Sequence, residues 1–121
     1  MKKQNYDIPP ERESQFELIT VAAEKLLQWA KERAIGLEYI YPSVPFVETD
    51  FTLDAWLFLD IEDRIAQYRA DGTANEMIAR FLDDLAKGGY PSEWSNLVTC
   101  HFASKEVVDR DYQGSYYFFL R

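Results

Sequence analysis

Between Leu53 and Asp60 the sequence alternates. Leu53, Ala55, Leu57 and Leu59 are all aliphatic, while Asp54, Trp56, Phe58 and Asp60 place two aromatics between two acids. Successive side chains of a strand point to opposite faces, so this stretch has one aliphatic side and one side of rings and carboxylates. A helical reading competes, because Leu53, Leu57, Ile61, Ile65 and Tyr68 also fall on one helical face. It fits less well at Trp56, Leu57, Phe58 and Leu59, which would put apolar residues around most of a helix. A strand is therefore expected through Leu59. A helix follows from Asp60, with Asp60 as its N-cap and Glu62 and Asp63 in the positively polarised first turn.

The other elements are read around this strand. Pro9 and Pro10 suit the start of a helix, and Phe16, Ile19, Ala23, Leu26, Leu27 and Ala30 recur at helical spacing up to Gly36, expected as a left-handed C-terminal cap. Residues 37–41 are β-prone, and Pro42 and Pro45 make a kinked or edge strand that resumes at 44–47. Asp71 and Gly72 end the helix begun at Asp60. Thr73 and Glu76 have capping-box spacing, and Met77, Ile78, Phe81, Leu82 and Leu85 form the stripe of a further helix stopped by Gly88 and Gly89. After a turn at Tyr90, Pro91 and Ser92, a strand is expected over residues 97–103. Ser104 then caps a brief helical turn, and Gln113 and Gly114 turn the chain into a final strand over 115–120. The order α-β-β-α-α-β-β implies a single α+β domain over residues 1–121. Its expected form is a mostly antiparallel sheet of about four strands with a long N-terminal helix and two further helices.

Charge narrows the partners. Thirteen Lys and Arg against 21 Asp and Glu leave a net charge of −8, with no basic stripe to offset it. Nucleic-acid binding by counterion release has little to work with, and anionic membrane surfaces are disfavoured for the same reason. The apolar stretches are too short to span a bilayer. The polar residues that follow Met1, Lys2 and Lys3 show no secretory leader, and Cys100 alone forms no internal disulfide, so a reducing cytoplasm is the expected compartment.

Catalytic patterns are few. Cys100 and His101 are adjacent, but on a strand they face opposite ways, which argues against a thiolate and base dyad. Asp60, Glu62 and Asp63 lack the order of a calcium loop, and helix-start stabilisation explains them; Asp83 and Asp84 fit a solvated helix face. There is no phosphate-binding glycine loop and no nucleophile elbow. No cofactor or metal is expected.

Aromatics in the proposed strands carry more information. Both faces of the last strand hold rings, so either helices cover both sides of the sheet or one side stays open. The open version presents Asp54, Trp56, Phe58, Asp60, His101, Tyr117 and Phe119 to a partner; the covered version is commoner for isolated monomers. Aromatic anchors beside carboxylates suit a basic protein surface, so the leading expectation is a non-enzymatic acidic module of inhibitor, immunity-protein or adaptor type. Two alternatives stand beside it. One is a small enzyme or ligand-binding domain using carboxylates, tyrosines and His101 around an apolar pocket. The other is a structural homodimer.

Overall fold

The computed structural model describes residues 8–121; the start of the chain, residues 1–7, read above for a leader, lies outside them. Helix α1 (Pro10–Glu32) opens on proline, carries Glu11 and Glu13 in its first turn and Lys31 in its last, and so complements its own dipole at both ends. Its buried side is spaced by threes and fours through Arg12, Gln15, Ile19, Ala22, Leu26, Trp29 and Ala30. The left-handed residue after α1 is Ala34 (φ 56°), not Gly36. Gly36 is needed for closeness instead: a Cβ there would stand 2.5 Å from Asp60 Oδ1.

Strand β1 (Leu37–Ser43) pairs antiparallel with β2 (Leu53–Leu59), matching Tyr39 to Phe58, Tyr41 to Trp56 and Ser43 to Asp54, with a bulge between Leu37 and Tyr39. The alternating segment is a strand through Leu59, as its pattern requires. The expected resumption of the first strand at 44–47 does not occur, and those residues belong to the loop that carries the chain into β2.

After β2 the chain runs through α2 (Asp63–Asp71), α3 (Thr73–Lys87) and the short α4 (Ser92–Ser95) before β3 (Val98–Ser104). These helices return the chain to the start of β2, so β3 lies parallel to it, and the expected mostly antiparallel sheet is instead mixed. Asp60 does not cap α2. Its carboxylate accepts from the Ile61 amide at 2.9 Å and from Arg64 Nε at 3.0 Å, and Glu62 stands in the cap position with its carboxylate turned to Ser104 Oγ at 2.8 Å rather than to an amide of α2. The Thr73 to Glu76 capping box is absent too. Gly72 (φ 89°) alone joins α2 to α3, which places Thr73 inside the helix, its amide bonded to Asp71 Oδ1.

The largest departure is at the C-terminal end. Ser104 caps α5 (Lys105–Asp111) as expected, its Oγ accepting from the Val107 amide at 3.1 Å. The proposed last strand is helix α6 (Tyr116–Leu120), capped by Ser115 Oγ, which accepts from the Phe118 amide at 3.1 Å. The reason lies in the spacing. Tyr116, Phe119 and Leu120, at i, i+3 and i+4, pack toward the sheet, while Tyr117 and Phe118 face out. The described residues thus form an α+β fold of six helices and a three-stranded sheet in the order β1-β2-β3.

Each sheet face has its own core. Leu53, Ala55, Leu57 and Leu59 belong to a cluster with Ile19, Ala22 and Leu26 of α1 and Met77, Phe81 and Leu85 of α3. The opposite face holds Phe58, Ala103 and Val108, with Tyr41, Trp56, Tyr116, Phe119 and Leu120 packed against them. No helix among the described residues is long and apolar enough to cross a membrane.

Candidate functional site

On the aromatic face, strand register sets three rows: Tyr39, Phe58 and Ala103; then Tyr41, Trp56 and His101; then Ser43, Asp54 and Thr99. The first row is sealed at Phe58 and Ala103, while Tyr39 on the outer strand is exposed. Phe58 is fully buried, with Tyr116 edge-on at 4.6 Å and Phe119 at 5.5 Å between ring centres. The second row is half-covered, since Phe119 stands edge-on to Trp56 at 5.7 Å. The third row lies past the end of α6, and Thr99 is exposed.

At this open end the residues assemble a small cluster. The His101 ring stacks on Trp56, with centres 4.4 Å apart and planes inclined by 20°. His101 Nε2 lies 2.8 Å from Asp54 Oδ1, a diagonal reach across the β2–β3 ladder, with 34% of the histidine side chain and 44% of the aspartate side chain exposed. The bond and the stack together hold the imidazole in one orientation at the surface. A ring with a polar tip, an apolar plate beneath it and a carboxylate beside it can contact both apolar and cationic groups.

The residues expected on an open face are therefore divided by the structure. Asp54, Trp56 and His101 come together, with Phe119 at their margin. Phe58 is core, a correction that follows from the helical C-terminal segment folding over it. Tyr117 is exposed but faces away from the cluster, beside Phe118 and under the Arg121 guanidinium at 5.7 Å. Asp60 sits at the other end of β2. Burial raises its pKa, but the bonds from Arg64 and the Ile61 amide outweigh this and hold the carboxyl below the ordinary range.

Cys100 is on the helix-covered face, where burial pushes its thiol up to about 11. It is neither beside the His101 ring nor readily ionised. Among the described residues no hydroxyl or thiol bonds His101, and no group of three or more His, Cys, Asp or Glu side chains is placed to hold a metal ion.

Sequence reasoning missed the loop that adjoins this end of the sheet. Arg12 is buried on α1 and donates through Nη2 to the carbonyls of Pro45 (3.2 Å), Val47 (2.8 Å) and Asp50 (2.9 Å). Its Nη1 reaches Gln15 Oε1, and the buried Gln15 donates to Phe51 O at 3.2 Å and to the Tyr90 hydroxyl at 3.0 Å. Asp50 accepts from the Thr52 amide and hydroxyl, bonds that lower its pKa. Held from beneath in this way, the loop turns Phe46 fully outward, at 105% relative exposure, with Val47 beside it at 62%. A signal was present in the sequence: Arg12 and Gln15 continue the spacing of Ile19, Ala22 and Leu26, so two polar side chains lie on the buried stripe and need partners there.

Compared with known proteins, the chain matches no family model, no curated protein and no solved structure.

Proposed function

We propose that this chain is a non-enzymatic acidic binding module that docks onto a basic protein through the open end of the aromatic sheet face. The observation that carries the reading is the Asp54, Trp56 and His101 cluster, ordered by a stack and a bond yet left at the surface of a face that is sealed one row away at Phe58. The clasped loop with exposed Phe46 adds a preorganised apolar contact at the same end of the sheet, reducing the ordering cost on association. The net charge of −8 steers cationic surfaces toward it. Occlusion of the partner's surface, as an inhibitor, immunity protein or adaptor would produce, is the mechanism this implies.

The test is capture from host lysate by immobilised wild-type protein and by Asp54→Lys, which reverses a half-exposed charge without touching either core. The expected result is a basic protein whose binding falls as salt rises and weakens on the order of tenfold in the variant. A recovered partner indifferent to both salt and the substitution contradicts the reading.

A second reading, a small enzyme or ligand-binding domain, draws on the 2.8 Å His101 to Asp54 contact, which orients an imidazole as an acid–base pair does. It lacks a nucleophile at the ring. It would displace the docking reading if His101→Gln abolished turnover of a substrate while leaving protein binding unchanged.

A further inference from the structure

The two edges of the sheet are unlike. On β1, Pro42 has no amide to donate and the bulge between Leu37 and Tyr39 sets the charged, exposed Glu38 on the edge, both of which blunt strand addition. On β3 neither device is present. Leu53 donates to Leu97 O at 3.0 Å, so in the parallel ladder Thr99, His101 and Ala103 turn their amides and carbonyls toward β2. Those of Val98, Cys100 and Phe102 point away from the sheet, and among the described residues nothing bonds them.

Two further features mark the same edge. Val98, Cys100 and Phe102 pack against the main core yet remain only partly buried, and Leu97 before them is 42% exposed, so an apolar strip accompanies the unpaired backbone. The strip's own residues are also uncharged: from Trp94 to Ser104 there are eleven residues without Lys, Arg, Asp or Glu, in a chain where 28% of residues are charged, and the charged group that α2 sets over it is the Arg69 guanidinium, 6.0 Å from the Phe102 ring centre.

We infer that two copies of this chain pair through the β3 edges, antiparallel about a twofold axis, and extend the two sheets into one. Charge selects a second copy as the occupant. Copies carrying −8 each repel over most of their surfaces, and this strip is where they approach without setting carboxylates against each other. A cationic partner gains nothing from a strip whose own residues carry no carboxylate and over which the Arg69 guanidinium lies. With the axis at Cys100, the outward amides and carbonyls of Val98, Cys100 and Phe102 all find partners, and Val98 of each copy meets Phe102 of the other on the helix-covered side.

The experiment is sedimentation of the full chain under reducing conditions over a wide concentration range, joined to amide hydrogen exchange at its two extremes. The expected mass rises from 14.2 kDa toward twice that value, and the amides of Val98, Cys100 and Phe102 exchange at least tenfold more slowly at high concentration. Thr99→Lys, a charge on an exposed edge position, returns the chain to monomer; Glu38→Lys on the opposite edge lowers the net negative charge and leaves the dimer intact. A monomer at every concentration overturns the inference. So does a dimer whose β3 amides exchange as freely as in the monomer, a result that needs no variant to fold.

Discussion

The two faces of the sheet reach closure by different means. On one, aliphatic side chains of β2 meet long helices: Leu57 lies among Ile19 and Leu26 of α1 and Met77 and Phe81 of α3. On the other, the covering elements are the seven-residue α5 and the five-residue α6, and rings do most of the filling. A long helix shields the whole length of a strand, whereas α6 shields only as far as Phe119 reaches. The helix side is therefore sealed along all of β2, while the aromatic side is sealed at Phe58, half-covered at Trp56 and open at Asp54 and Thr99. Large rings close a small interface efficiently, and the shortness of the element carrying them leaves the Asp54 and Thr99 end uncovered.

Substitutions break or sharpen this contrast. The largest expected effect is at Phe58. If the aromatic side is a true core there, Phe58→Ala costs about 3–5 kcal/mol in urea unfolding, comparable to truncating a leucine on the helix side; a face open along its whole length would lose far less. Arg12→Ala comes next. It removes donors from three loop carbonyls and exposes the Gln15 and Tyr90 pair, with an expected loss of about 1–3 kcal/mol and faster exchange at the Thr52 and Asp50 amides.

Ser115→Ala tests the short lid itself. Loss of the bond to the Phe118 amide is expected to cost about 0.5–2 kcal/mol and to shift Trp56 fluorescence to the red as Phe119 withdraws. The smallest effect concerns acid. Asp60 has a lowered pKa in the fold, so its stabilising contribution is complete above the unfolded carboxylate pKa and is lost as pH falls through the folded value. Asp60→Asn is accordingly expected to flatten the acid limb of the stability profile below about pH 4 and to leave its neutral region nearly level.

What the sequence revealed follows the reach of each interaction. The β2 alternation, the stripe of α3 and the Ser104 cap are local patterns, and each formed. The parallel β2–β3 pairing was hidden because direction depends on where α2, α3 and α4 return the chain, which no strand pattern encodes. The C-terminal segment is ambiguous in sequence because Tyr116, Tyr117, Phe118, Phe119 and Leu120 are apolar at every position. Such a run fits either period, and the cap at Ser115 with the i, i+3, i+4 contacts decided for the helix. Of the expected site, the shared face of Asp54 and Trp56 was legible from the β2 alternation and the face of His101 from that of β3, whereas their meeting, their bond and their stack needed the parallel neighbour. Phe58 leaves the site because the segment that covers it is helix α6 and not a further strand.

The most direct measurement is solvent paramagnetic relaxation of side-chain protons by a soluble neutral gadolinium chelate, on labelled protein dilute enough to be monomeric. A face closed at one end and open at the other gives strong relaxation of the His101 ring and the Thr99 methyl, with Phe58 as quiet as Leu57. A His101 ring as protected as Phe58, or a Phe58 ring relaxed like His101, would mean the aromatic face is uniformly closed or uniformly open, and the proposed docking reading would lose its site.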